Sequence, residues 1–214
     1  MIADSTKLHK RSDLHLLRKL WHTVSGLSML YAYYASGVDA KLAGKYLVIF
    51  AIVAYTFEKM RVRSGALNGP VMRVMGPFMR ESERENVSGL PFFVMGVGLS
   101  FLLFEEEIAI LSLYFLTFSD PLSSLVGILY GKDKIMPNKS LQGSAAGFIC
   151  CFFVTLIYGI NFLEPNINLI IFAVFAGIIG SVSELCSVVV DDNFTIPFVS
   201  GLGLTLLNFF IPIF

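Results

Sequence analysis

The chain has 214 residues, 55% of them hydrophobic and only 15% charged, and its mean hydropathy is +0.72. Soluble domains carry about a quarter charged residues, so a chain this apolar lacks the polar surface to cover itself in water and takes lipid as its solvent. Its 16 Lys and Arg balance 16 Asp and Glu, which excludes a nucleic-acid footprint and an acidic tail.

The N-terminal 1–20 is polar and basic, and the apolar run after it has no small-residue cleavage site, so it reads as a retained span rather than a signal peptide. A hydrocarbon core of roughly 30 Å needs about 20 apolar residues per helix. Seven segments approach that length: 21–36, 42–58, 89–104, 108–130, 143–162, 167–188 and 196–213. The expected fold is an all-α polytopic integral membrane protein of about seven transmembrane helices. It forms one membrane-embedded catalytic domain over 1–214, with 1–20 a cytoplasmic amphipathic segment. Cys150, Cys151 and Cys186 fall inside apolar runs with no metal-ligand spacing, and read as lipid-facing or packing residues.

Lys and Arg in the connections set the orientation. Lys7, Lys10, Arg11, Arg18 and Lys19 precede the first span, and Lys59, Arg61, Arg63, Arg73, Arg80 and Arg84 lie in 59–88. Lys132, Lys134 and Lys139 follow the fourth span on the same side, which leaves Lys41 and Lys45 near the opposite face with the acidic turn Glu105-Glu106-Glu107. The N-terminus is therefore expected in the cytoplasm, and in the inner membrane if the source is prokaryotic. In 59–88, Arg73, Arg80 and Arg84 interleave with Val71, Met72, Val74, Met75, Phe78 and Met79, as suits an interfacial helix on anionic headgroups.

Ionisable groups inside a membrane are costly and point to function. Asp120 in the fourth expected span and Glu184 in the sixth stand out, each toward the cytoplasmic end. After Asp120 come Gly127, Gly131 and Lys132, then Lys139-Ser140-Leu-Gln-Gly143-Ser144. Glycine lets backbone approach a ligand, successive N–H groups can cradle an anion, and a helix starting at Gly143-Ser144 favours phosphate at its N-terminus. The spacing is not that of a Walker A loop, and Gly127-x-x-x-Gly131 equally fits helix packing. After Glu184 comes Asp191-Asp192-Asn193-Phe-Thr-Ile-Pro197, oxygen donors of the kind Mg²⁺ shares with substrate phosphates. Before the first span, Arg18 and His22 sit four apart on one helix face, with Lys19 beside them.

In this order the elements resemble one family, the CTP-dependent lipid kinases (dolichol kinase, phytol kinase and the CTP-using diacylglycerol kinase), relatives of phosphatidate cytidylyltransferase. The likeness runs from Arg18-Lys19-x-x-His22 through Asp120, Lys132 and Lys139-Ser140-x-x-Gly143-Ser144 to Glu184 and Asp191-Asp192-Asn193-x-Thr-Ile-Pro197. It implies transfer of the γ-phosphate of CTP to the hydroxyl of a membrane lipid alcohol. On that resemblance Asp120, Asp191 and Asp192 would hold Mg²⁺. Lys132 and Lys139 would neutralise phosphate, with Ser140, Gly143 and Ser144 as donors. Arg18, Lys19 and His22 would close over the nucleotide, and Asn193 would orient a carboxylate or read the ligand. Glu184 would be a metal ligand or would orient the lipid hydroxyl. One departure is Pro121, where relatives often carry a small residue; it should break the helix ladder beside Asp120 and unwind it locally. The alternatives are a phosphatidate cytidylyltransferase, against which the Asp191-Asp192-Asn193-x-Thr-Ile-Pro197 string favours the kinase branch, and a non-enzymatic transporter, against which stands the gathering of polar groups at one face.

Overall fold

A computed structural model describes residues 14, 16–187 and 190–214. Lys7, Lys10 and Arg11, counted toward orientation, lie outside the described residues, as do 188, the last residue of the expected sixth span, and 189 after it. The rest is helical almost throughout: α1 Leu16–Ser36, α2 Ala40–Arg63, α3 Gly65–Met75, α4 Gly89–Leu103, α5 Glu106–Tyr114, α6 Asp120–Tyr130, α7 Leu141–Phe162, α8 Ile167–Leu185 and α9 Asp192–Phe210. Short 3₁₀ turns at Gly76–Phe78 and Glu81–Arg84 link α3 to α4, and a π turn, Phe115–Ser119, joins α5 and α6 into one rod. A small antiparallel hairpin, β1 Lys134–Met136 and β2 Lys139–Ser140, precedes α7. Side-chain caps start several helices: Asp39 accepts from Lys41 N and Leu42 N, Ser140 from Gly143 N, Asn166 from Leu169 N and Asp191 from Asn193 N.

Five of these helices are long and apolar enough to cross a bilayer: α2, the α5–α6 rod, α7, α8 and α9. The architecture is that of a multi-pass membrane protein. Two of the seven expected spans fall short for different reasons. The 15-residue α4 rises about 22 Å at 1.5 Å per residue, less than a hydrocarbon core of roughly 30 Å. The 21-residue α1 is long enough, but Arg18, Lys19 and His22 together with its Ser, Thr and Tyr residues leave it less apolar than those five.

The α5–α6 rod is the most enclosed of the five. Its Ile108, Leu111, Phe115 and Leu116 are buried among Phe101 of α4, Phe172 of α8 and Leu204 of α9. Against it α4 packs between α2 and α9, and α7 and α8 pair on the other side. The α2–α4 crossing is tight because glycines face each other. A Cβ on Gly44 would stand 2.7 Å from the Leu102 nitrogen, so the two backbones touch in the small-residue manner of membrane helices. Outward faces are apolar, as with Ile49, Phe50, Ile52 and Val53 on α2 and Phe153, Ile157 and Ile160 on α7.

The 59–88 stretch corrects the expectation for its arginines. An interfacial-length helix does form, but α3 carries only Arg73 and ends at Met75, before Gly76-Pro77. Arg80 lies beyond that break and turns inward.

Candidate active site

The central rod creates the site by breaking its own hydrogen-bond ladder. In the π turn, Asp120 N–H donates to Phe115 O rather than to Leu116 O, and Pro121 has no N–H to give Thr117. Two carbonyls are freed, and α1 supplies both partners: His22 Nε2 donates to Leu116 O at 3.0 Å and Thr23 Oγ1 to Thr117 O at 3.2 Å. A π turn at a functional site is a familiar arrangement. The expected unwinding at Pro121 is thus corrected: the helix widens by one residue, Asp120 stays helical, and α1 docks on the defect. Gly26 lies against Thr117, where a Cβ would stand 2.8 Å from Cγ2. This docking sets Arg18 and Lys19, one turn earlier, over the end of the rod.

There, a cavity of about 370 Å³ opens. Arg18, Lys19 and His22 line it from α1, and Asp120, Pro121, Ser123, Ser124, Gly127 and Ile128 from α6. The hairpin region adds Gly131, Lys134, Pro137, Asn138, Lys139 and Ser140, and α7 adds Gly143 and Ser144. Glu184, Asp192 and Asn193 close the side formed by α8 and α9, with Arg80 between α9 and α1.

Three ion pairs organise the charge. Arg18 Nη1 meets Glu83 Oε1 at 2.8 Å, Lys139 Nζ meets Glu184 Oε1 at 2.7 Å, and Arg80 Nη2 stands 3.5 Å from Asp192 Oδ2. Glu83 also accepts from Arg80 N at 3.2 Å, so one carboxylate ties both arginines to the 3₁₀ turn. Burial by itself would lower the Arg80 guanidinium, but Asp192, Glu83, Asp120 and Asp191 outweigh it and hold it above its ordinary value.

Eleven of the thirteen sequence-derived site residues line this cavity: Arg18, Lys19, His22, Asp120, Lys139, Ser140, Gly143, Ser144, Glu184, Asp192 and Asn193. Two do not. Lys132 is exposed at the hairpin's entrance, its N–H on Gln142 Oε1 at 3.2 Å, and Lys134 faces the cavity instead. Asp191 caps α9, its Oδ1 accepting from Asn193 N at 3.0 Å and Nδ2 at 2.6 Å. Burial and then Asp192 push its carboxyl up to about 6. Some expected donors are already engaged: His22 Nε2 holds Leu116 O, and Gly143 N–H donates to Ser140 Oγ at 3.2 Å. Glycine serves packing as well as access here, for a Cβ on Gly143 would lie 2.9 Å from Ser123 O. The α6 and α7 backbones meet only because it is absent.

Arg80, Ser123, Ser124, Lys134 and Asn138 were missed by sequence reasoning. Ser123 and Ser124 carried a signal, standing three and four residues after Asp120 and so on its helix face. For Arg80 the signal was Gly76-Pro77, which ends the helical spacing that grouped it with Arg73.

Among the described residues no group of three His, Cys, Asp or Glu side chains is placed to hold a metal unaided. Asp120 and Asp192 do face one cavity. Mg²⁺ held with substrate phosphates needs only one or two carboxylates, so the donor set fits a metal that arrives with a polyphosphate. Two buried oxygens, Ser144 Oγ and Glu184 Oε2, have no hydrogen-bond partner among the described residues, and both residues line the cavity. Buried polar groups are nearly always satisfied; these two are open toward a ligand.

Residues 6–190 match the Cytidylyltransferase family. The chain is 34% identical over 201 residues to CTP-dependent diacylglycerol kinase 1 of Schizosaccharomyces pombe, covering 89% of this chain and 92% of that protein. It is 28% identical to the protein of the same name in Saccharomyces cerevisiae, over 86% of this chain and 70% of the relative. An uncharacterized Rickettsia prowazekii protein is 23% identical over 91% of this chain and 95% of its own length. No solved structure matches the chain.

Proposed function

Because the chain belongs to the cytidylyltransferase family, we propose that it is a CTP-dependent lipid kinase, transferring the γ-phosphate of CTP to the hydroxyl of diacylglycerol. The observation that carries this reading is the one cavity where Arg18, Arg80 and Lys139 meet Asp120, Asp192 and Glu184 beside the ends of membrane helices. Phosphoryl transfer asks the protein mainly for positioning and charge neutralisation, and this cavity is built of both. Diacylglycerol, rather than a dolichol or phytol, is favoured by the names of the two fungal kinases.

The residues take distinct parts. Arg18, Lys19, Arg80, Lys134 and Lys139 neutralise the triphosphate, and Arg80, tied to Asp192, tracks the phosphates nearest α9. Asp120 and Asp192 would hold Mg²⁺, which would supply neutralisation of the charge developing on the leaving diphosphate. Asn193, with its Nδ2 on Asp191, orients the α9 carboxylates. The site faces the cytoplasm, where CTP is found, an orientation supported by the Lys and Arg on that side of the bundle. The lipid reaches it laterally from the bilayer.

Purified protein in detergent, given Mg²⁺ and CTP labelled at the α- or γ-phosphate, tests the reading. Label from the γ position should appear in phosphatidate when diacylglycerol is offered, and Asp120→Asn and Asp192→Asn should each remove that transfer. Label from the α position reaching lipid would instead identify a cytidylyltransferase acting on phosphatidate.

A further inference from the structure

The cavity gathers two chemically different sets of groups. Toward α1 and α9 its cations and the pair Asp120/Asp192 suit phosphates and a metal. Toward α7 and α8 it presents the two unpartnered oxygens. Glu184 is only 4% exposed, and Lys139 Nζ fixes its Oε1 at 2.7 Å, leaving Oε2 in no formed hydrogen bond, with the Ser123 hydroxyl of α6 the side-chain donor near it. Ser144 is 8% exposed and its Oγ is equally unpartnered.

The elements around them hold both side chains in place. Ser181 Oγ donates to the Ser144 carbonyl at 3.0 Å, joining α7 to α8 one turn before Glu184. Gly147, three residues after Ser144 on the same face of α7, keeps the space open: a Cβ there would stand 3.2 Å from Glu184 Oε2. Ser119 Oγ, from the π turn, donates to the Gly147 carbonyl at 3.2 Å.

What could fill such a place follows from donor and acceptor counting. A carboxylate oxygen accepts only, and a serine hydroxyl donates and accepts. A fully ionised phosphate has no proton for Glu184 and is repelled by it. An alcohol satisfies both oxygens at once, donating its O–H to Glu184 Oε2 and accepting from Ser144 Oγ. We propose that Glu184 and Ser144 form the acceptor-alcohol subsite, with Glu184 as the catalytic base for the lipid hydroxyl. This rests on the kinase reading above. In the step itself the lipid oxygen bonds to the γ-phosphorus as the bond from that phosphorus to the β-bridging oxygen breaks. The hydroxyl proton passes to Glu184 Oε2 and then to water, and CDP leaves, so the products are the phosphorylated lipid, CDP and one proton. Lys139, besides its charge toward the phosphates, positions Glu184, turning Oε2 toward the alcohol by holding Oε1.

The test separates the two roles by measuring Mg·CTP binding and lipid phosphorylation on the same detergent-solubilised protein. Glu184→Gln, which keeps the shape, should lower kcat for diacylglycerol by about 10²- to 10⁴-fold while the Kd for Mg·CTP stays within about threefold. Ser144→Ala should raise KM for diacylglycerol at least fivefold and leave KM for CTP unchanged. The inference is overturned if Glu184→Gln loses nucleotide binding together with transfer, which would put Glu184 with the metal and phosphates, or if both variants phosphorylate lipid normally. Should the wild-type protein bind Mg·CTP yet transfer γ-phosphate to no lipid alcohol, the kinase reading itself fails. That result is distinct from a wild-type kinase indifferent to both substitutions.

Discussion

Arg61 and Arg80 come from the same basic stretch, yet the structure spends them in opposite ways. Arg61 is 0% exposed. Its Nε and Nη2 each donate to a Glu58 oxygen at 2.9 Å, Nη2 also reaches the carbonyls of Glu83 and Asn86, and Nη1 reaches Asn68 Oδ1. Glu58 in turn accepts from Ser88 N at 2.7 Å. The network is closed, and it folds 64–88 back onto the end of α2. Among the described residues Arg80 has a single ion pair, at 3.5 Å, and turns its guanidinium into a cavity. An arginine whose donors are used up by its own chain builds structure; one that keeps donors free in a cavity is available to a ligand. Glu83 links the two, its backbone held by Arg61 and its carboxylate holding Arg18 and Arg80.

Breaking each side of this comparison should give different symptoms. The largest effect is expected from Arg61→Met, which strands Glu58 as an unpaired buried charge and should cost about 3–5 kcal/mol. It would be read as a lowered thermal midpoint in detergent, with much of the loss recovered in the double variant Glu58→Gln/Arg61→Met. An unchanged midpoint would show that the closed network does not hold the fold. Arg80→Ala should leave the midpoint almost where it is and lower kcat/KM for CTP about 10²-fold; a melting loss as large as that of Arg61→Met would erase the distinction. The smallest effect belongs to Lys132→Ala. Exposed and off the cavity lining, it should change transfer by less than about twofold, and a loss comparable to that of Arg80→Ala would place Lys132 on the nucleotide after all.

The same physics decided what could be read beforehand. Asp120 and Glu184 were legible because an ionisable group in an apolar run has few reasons to be there, and Lys139, Ser140, Gly143 and Ser144 followed from their place beside a helix start. Arg80 was not, since a basic residue among methionines and phenylalanines reads as a headgroup contact until the break at Gly76-Pro77 is given its due. Lys132 and Lys134 are two residues apart at the start of a hairpin, and which of them faces the cavity depends on a register that composition does not carry. Asp191 and Asp192 are likewise neighbours in sequence. One became the α9 cap and the other a cavity wall, because a capping side chain must turn back toward its own helix.

By itself the amino-acid sequence determined the solvent, the helices and the face where charge collects, because hydropathy and the cost of charge in lipid act residue by residue. It also held the cause of the central defect, since Pro121 cannot complete a helix ladder in any fold. Only the tertiary structure decided how that defect was satisfied, with His22 and Thr23 of α1 taking up the freed carbonyls of Leu116 and Thr117. It alone decided that Ser144 and Glu184, on different helices, would each be left open on one cavity. Hydrogen-bond satisfaction depends on where distant segments meet, and no local pattern records it.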